Sequence, residues 1–333
     1  MPPDRDFAQE GDKPERVRRR KNCTETIVPC QPMPFLFGPE SDMLKHMSSR
    51  KLFAMTLHAA LAFAVLAPSA YPQPRPKPPK SIRLYVFDNG IIKDPDVTRF
   101  RFKKEEIAVP DFVVCSYLIV HPKGTLMFDA GSIPDANFKE GVTPTTLNRF
   151  VATKTLKSQL AGLGYAPKDI TYFALSHYHG DHIANSNDFA GSTWLVQKPE
   201  RDAMFAENSP VKEQLPFFNQ LKDSKTKILD GKDFDVFGDG TVVVKGAYGH
   251  TPGHQVIYVK LAKNGPVLLS GDLYHYREER FTDKTPVFEF NGSQSLASRA
   301  NIEAFLKKSG AQLWIEHDLQ LFRGLKKAPE YLE

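Results

Sequence analysis

From residue 81 onward, short runs of β-branched and aromatic residues alternate with breaks that carry glycine and proline, the pattern of strands separated by turns. IRLYVFDNGII, beginning at Ile82, reads as strand, turn and strand, with Asp88-Asn89-Gly90 as the turn signal. FVVCSYLIVHPKGTLMFDAG, beginning at Phe112, pairs two apolar runs across Pro122-Lys123-Gly124 and predicts a hairpin whose second strand ends at Asp129. The stretch from Thr143 to Tyr165 has a helical period, with Leu147, Phe150, Val151, Leu156 and Leu160 on one side and Gly162 and Gly164 as stop signals. ITYFAL, from Ile170 to Leu175, is a strand that stops at Ser176. A second round follows. Strands are expected at STWLVQ, in FDVFGDGTVVVKGAY, at HQVIYVKL, PVLLSGD and QLWIEH, with helices opening after Pro199 and across SLASRANIEAFLKKSG. Two rounds of strands, each closed by helices, predict an α/β chain of two packed sheets with helices outside and no separate second domain.

The first 80 residues differ from the rest. Arg50 and Lys51 precede an apolar run from Leu52 to Ala67, and small residues follow, the layout of a secretory signal peptide over residues 47–70 with cleavage near Ser69 or Ala70. The run is shorter than the about 20 residues that span a bilayer. Because a signal sits at an N-terminus, residues 1–46 read as an extension, with translation expected to begin at Met43 or Met47. The rival reading is a true extension followed by a short helix near a membrane. Residues 71–80, YPQPRPKPPK, form a proline-rich tether, and the catalytic domain is expected over 81–333. Export to the periplasm or medium follows from the leader.

Composition narrows the class. With 41% apolar and 25% charged residues in 333, the chain is ordinary globular protein. The net charge of +5 is small and comes partly from Arg16 to Lys21, which argues against a nucleic-acid partner. Cys23 and Cys30 lie in the leader, so Cys115 stands alone in the domain and is read as a small buried apolar residue rather than a disulfide partner.

The chemistry begins where the ITYFAL strand stops. The chain has ten histidines, and three of them with an aspartate fall within HYHGDH: His177, His179, Asp181 and His182. Imidazole and carboxylate at two-residue spacing on an irregular loop are the ligands Zn2+ favours, and alternate side chains can face one way. His250, Asp272 and His317 each follow an apolar strand, so all can converge at one edge of the sheets.

Together, HYHGDH, GHTPGH at 249–254, SGD at 270–272 and the late His317 resemble the metallo-β-lactamase superfamily, whose fold is an αββα sandwich. Asp129 in LMFDAG matches that family's early aspartate turn, and the match covers residues 81–333. The resemblance implies that His177, His179 and His250 hold one divalent ion, that Asp181, His182 and His317 hold a second, and that Asp272 bridges them. It implies Zn2+ as the ion, with Mn2+, Co2+ or Fe2+ accepting the same donors. His254 is read as supporting the turn. Asp129 is read either as orienting a ligand histidine or as capping its own bend.

Within the family, Asp272 stands where zinc β-lactamases carry a cysteine, and His179 where electron-transfer diiron relatives carry glutamate. The stretch from Leu160 to Met204, GHTPGHQ and IEHD are most similar to the N-acyl-homoserine lactone lactonases, which implies ring opening of a small acyl lactone by attack of a metal-bridging hydroxide, and a homodimer as their frequent state. Methyl-parathion-type organophosphate hydrolases, and other ester or thioester hydrolases, are the alternative. Where lactonases carry a tyrosine three residues after the bridging aspartate, this chain has His275, flanked by Tyr274 and Tyr276. Asp181, His275 and Tyr274 are therefore the expected catalytic residues, the last two as donors to the oxyanion. Phe217, Phe218, Phe281 and Phe288 are candidates for an acyl wall.

Overall fold

The computed structural model describes residues 76–333. The extension, the signal peptide and the first half of the tether lie outside the described residues. Among the described residues no helix is long and apolar enough to cross a membrane.

Strands β1 (Arg83–Ile92), β2 (Phe112–His121), β3 (Gly124–Phe128), β4 (Thr145–Leu147), β5 (Phe150–Ala152), β6 (Tyr172–Ala174), β7 (Thr193–Gln197) and β8 (Thr226–Leu229) form one sheet in the order β4-β5-β1-β2-β3-β6-β7-β8. The second sheet, ordered β13-β12-β11-β10-β9, holds β9 (Phe234–Asp235), β10 (Val242–Gly246), β11 (Gln255–Leu261), β12 (Gly265–Leu269) and β13 (Gln312–Trp314). Both sheets are mixed: β3, β6, β7 and β8 run parallel beside antiparallel β1, β2 and β3, and β13 runs parallel to β12. Side-chain alternation explains the layering. Leu84 and Val86 of β1 face the second sheet and meet Val244, Ile257 and Val259. Tyr85 and Phe87 face outward, into a layer with Leu156 and Leu160 of helix α1 (Leu156–Gly162) and Trp194. Behind the second sheet, Ile302 and Leu306 of α4 (Gly292–Ser309) cover Val256 and Leu268. The architecture is thus the αββα sandwich, with β2 buried along its whole length.

Two local readings are corrected. Thr143 to Tyr165 is not one helix: β4 and β5 pair with each other, β5 adds to β1 at Ile91 and Ile92, and only α1 is helical. Asn148 in the left-handed region (φ 54°) makes the turn, and Thr155 caps α1 by accepting the Ser158 N–H. Asp88-Asn89-Gly90 is a bulge inside a continuous β1, not a turn between strands. Gln159 bonds both the N–H and the C=O of Asp88, which satisfies the backbone that the bulge leaves unpaired.

Parallel β6 and β3 end at the same edge, as do β10, β12 and β13. The loops after these strands carry every residue of the expected metal set. Gln255, at the start of β11, ties the sheets together there by donating to Leu175 O at 2.8 Å and Leu195 O at 3.1 Å.

Candidate metal centre

After β6 the chain bends at Ser176 and again at Tyr178 and His179, reaches an extended conformation at His179, and then turns once as α2 (Gly180–Ile183). This irregular loop sends His177 and His179 into the site, and the helical turn brings Asp181 and His182 up beside them. His250 arrives from the loop after β10, Asp272 from the loop after β12 and His317 from the loop after β13. The structure brings together all seven expected metal residues. Among the described residues three groups have donor atoms within 4.8 Å of one another, and two of them divide the expected set: His177, His179, His250 and Asp272, and then Asp181, His182 and His317; the third joins His182 to Asp129 and Glu316.

Asp272 divides its two oxygens between the groups. Oδ2 lies 3.5 Å from His177 Nε2 and 3.4 Å from His250 Nε2. Oδ1 lies 3.3 Å from His182 Nε2 and 3.1 Å from His317 Nε2. Asp181 Oδ2 sits 3.6 Å from His182 Nε2 and 3.5 Å from His317 Nε2.

Hydrogen bonds on the far side of the rings fix which nitrogen faces inward. His317 Nδ1 donates to Val113 O at 2.8 Å, His250 Nδ1 meets Glu289 Oε1 at 3.0 Å, and His182 Nδ1 meets Asp129 Oδ2 at 3.0 Å. Carbonyl and carboxylate accept only, so each Nδ1 carries a proton and Nε2 is the nitrogen turned to the centre. Burial lowers His182 and His250, but the carboxylates around them, Asp272 foremost, outweigh it and raise both, which shows how strongly the site favours positive charge. His177 Nδ1 contacts Ser176 Oγ at 3.0 Å. Burial, with the neighbouring imidazoles, holds His177 and His179 well below the usual imidazole range, so both are neutral at pH 7. His179 Nδ1 and His250 Nε2 are 2.9 Å apart. His177 Nε2, His182 Nε2 and Asp272 Oδ1 are buried without a hydrogen-bond partner among the described residues. Unpaired buried lone pairs converging with a carboxylate are what a cation satisfies, and this nitrogen and oxygen set fits Zn2+ or its first-row neighbours.

Of the two readings of Asp129, its side chain takes the first and orients a ligand histidine rather than capping its own bend. It occupies the left-handed region (φ 63°), its Oδ1 accepts the Ser176 N–H at 2.6 Å, and its Oδ2 faces His182. His254 is buried beside the centre but faces away from it. Its Nδ1 donates to Ala247 O and its Nε2 accepts the Asp272 N–H, each at 3.0 Å, so it steadies Asp272 as a neutral ring. Burial, then His250, pulls His254 down to about 3. Unfolding restores its ordinary value of 6.5, so between those values the unfolded chain binds one more proton and stability from this residue falls as pH falls, by up to about 1.4 kcal/mol per pH unit. Glu200, pushed up to about 7 mainly by burial, acts with the opposite sign between 4.5 and 7. The His254 contribution is isolated by comparison with His254→Asn: in denaturant unfolding of metal-free protein, the stability advantage of the wild type should shrink from about pH 7 to about pH 4. A constant difference would contradict the neutral, buried assignment.

Of the expected catalytic residues, Asp181 and His275 line a cavity of about 540 Å³ together with Asp272 and His317. Tyr274 does not, and that reading is corrected. Its ring packs with Val256, Leu268 and Ile302 under Arg299, and its hydroxyl donates to Glu303 at 3.3 Å. His275 Nε2 lies 3.3 Å from Asp272 Oδ2, and its Nδ1 lies 3.5 Å from Glu279 Oε1. Burial lowers this imidazole, but Asp272 and Glu279 outweigh it and lift it to about 10. Glu279 is itself paired with Arg299 at 2.6 Å.

Phe288 lines the cavity, whereas Phe218 is buried in the outer layer, Phe281 is 84% exposed and Phe217 is half-buried outside the lining. The apolar wall comes instead from Ile92, Phe100, Phe112 and Phe150 with Phe288. Phe112 stacks on His317 with ring centroids 4.7 Å apart, and Phe100 packs on His275 at 4.9 Å. Sequence reasoning also missed Ser176, Glu200, Glu279, Glu289 and Arg299. Only Ser176, beside the histidine motif, had a local signal.

An N-acyl homoserine lactonase from Bacillus sp. is 29% identical to this chain over 228 residues, which is 67% of this chain and 88% of that one. The N-acyl homoserine lactonase AttM of Azorhizobium caulinodans is 27% identical over 269 residues, 76% of this chain and 99% of its own. A solved N-acyl homoserine lactone hydrolase, with N-hexanoyl-L-homoserine bound at its catalytic metal centre, shares the fold at a TM-score of 0.59 and 24% identity, covering 75% of this chain and 99% of that one. The pattern of the Metallo-beta-lactamase superfamily matches residues 109–310, a span that holds every residue of the expected metal set except His317. The chain belongs to the metallo-beta-lactamase superfamily and is one of its metal-dependent hydrolases.

Proposed function

We propose that this hydrolase opens the lactone ring of N-acyl homoserine lactones at a two-metal centre, with Zn2+ as the resident ion. The observation that carries the reading is the Asp272 carboxylate, whose two oxygens face two separate groups of ligands. His177, His179 and His250 would hold one ion, Asp181, His182 and His317 the other, and Asp272 both. Such ions supply Lewis-acid polarisation of a carbonyl and lower the pKa of bound water towards ~7. The lactonase activity of the relatives supports the choice of substrate.

The protein's own groups then have distinct tasks. Phe100, Phe112, Phe150, Phe288 and Ile92 hold the acyl chain and keep water from it. His275, held between Asp272 and Glu279, offers an N–H to the carbonyl oxygen as it gains negative charge. Asp181 opens to the cavity and is placed to carry a proton to the departing ring oxygen. His275→Phe removes the donor and keeps a ring, so kcat should fall about 100-fold with metal content unchanged. Unchanged kcat would remove His275 from the reaction. The leader layout at residues 47–70 supports an exported mature enzyme as part of the same proposal.

The experiment is proton release in weak buffer by the metal-loaded chain, offered short-chain and long-chain acyl homoserine lactones beside a phosphotriester and a thioester. Acid release from the lactones, abolished by a chelator, is expected. Silence on lactones with turnover of the phosphotriester would move the enzyme to the organophosphate hydrolases.

A further inference from the structure

Glu200 is a carboxylate that is 2% exposed, in the first turn of α3 (Lys198–Phe205), outside the motifs that carry the metal residues. Both its oxygens are engaged. Oε1 accepts the Tyr178 N–H at 2.8 Å, and Oε2 accepts the Thr251 hydroxyl at 2.7 Å and the Gly253 N–H at 2.8 Å. Tyr178 lies between His177 and His179, and Thr251 follows His250. One carboxylate therefore fastens the two loops at the residues next to His177, His179 and His250, whereas Asp181 and His182 lie further along the first loop, in the helical turn after Gly180. The other group is held by different means, His182 by Asp129 and His317 by Val113 O. The fit is close as well: a Cβ on Gly253 would lie 2.6 Å from Glu200 N and 2.8 Å from Glu200 Cβ, so that loop is pressed onto α3.

We infer that Glu200 is a positioning residue dedicated to one of the two metal ions, setting the affinity of the His177, His179 and His250 site without setting that of its neighbour. This rests on the two-metal reading above. Three imidazoles bind an ion tightly when their nitrogens are already about 2 Å from a common point. Two loops joined through one buried acceptor keep that spacing, and two loops released from it must be gathered by the ion itself. A glutamine at 200 has the same shape, but its amide N–H group has to face a backbone N–H, so one bond becomes a repulsion while the others remain. Thr251→Val removes a single bond and keeps the shape.

The test is calorimetric Zn2+ titration of metal-free full-length wild type, Glu200→Gln and Thr251→Val, with Co2+ absorption spectra to report the coordination of each ion. Wild type should bind in two steps. In Glu200→Gln one step should weaken about 10- to 100-fold, as loss of an outer partner does, while the other changes less than about twofold. Thr251→Val should weaken the same step by less. Two wild-type steps that are both unchanged, or both weakened equally, in Glu200→Gln would overturn the inference while leaving the two-metal reading standing, even if the melting temperature falls. A wild-type chain that takes one ion would sink both.

Discussion

Asp272→Asn is expected to lose at least one metal ion per chain and about a thousandfold in turnover. The amide oxygen can face one group of histidines, but the amide N–H group then faces the other, a donor set against the inward side of a metal site. In the wild type, Oδ2 serves His177 and His250 while Oδ1 serves His182 and His317, so no single rotamer of asparagine replaces both. An ion contributes several kcal/mol of charge stabilisation in the transition state, and each 1.4 kcal/mol is about tenfold in rate, which sets the thousandfold scale. Metal analysis and lactone turnover on the same preparation check it. An asparagine variant with both ions and full turnover would show that the shared carboxylate is not what organises the centre.

The second large effect is expected one residue earlier. Gly271→Ala should destabilise the protein by about 2–4 kcal/mol, lower its melting temperature by on the order of 10 °C, and reduce metal content. Gly271 has φ +47°, where a side chain costs about 1–2 kcal/mol. A Cβ there would lie 2.6 Å from Ser176 Cβ and 2.8 Å from His254 Nε2, both buried and neither at the end of a flexible chain. Ser176 touches the rings of His177 and His182, and His254 accepts the Asp272 N–H, so the displacement reaches both halves of the centre. Thermal unfolding of metal-free and metal-loaded variant separates strain from lost binding. An alanine variant matching wild type in both states would mean that the loop relaxes freely.

Much of the centre is legible in the chain because its ligands sit at strand ends. HYHGDH is local, and His250, Asp272 and His317 each follow an apolar run, so strand periodicity alone carries them to one edge of the sheets. The Phe112 to Phe128 hairpin is legible for the same reason. The β4–β5 pair is not: its apolar residues also satisfy a helical period, and the decision falls to Asn148 in a left-handed turn and to an open edge at Ile91 and Ile92. Whether Tyr274 or His275 faces the cavity depends on the path of the loop after β12, which no spacing encodes. Glu200, Glu279 and Glu289 read as solvent-facing charges within KPER, REER and FEF. Their burial is set by partners that are distant in sequence: Thr251 and Gly253 for Glu200, Arg299 for Glu279, and His250 for Glu289. Of the acyl-wall candidates Phe217, Phe218, Phe281 and Phe288, only Phe288 lines the cavity; Phe218 serves the outer core, and Phe100, Phe112 and Phe150 join Phe288 from the other end of the domain.

The most direct measurement is turnover of an acyl homoserine lactone as Zn2+ is added stepwise to metal-free protein, with bound ion measured at each step. Two equivalents should bind, and full rate should need both, because Asp272 ties the two groups into one centre. Full rate at one equivalent, with no second ion taken up, would contradict the proposed two-metal centre.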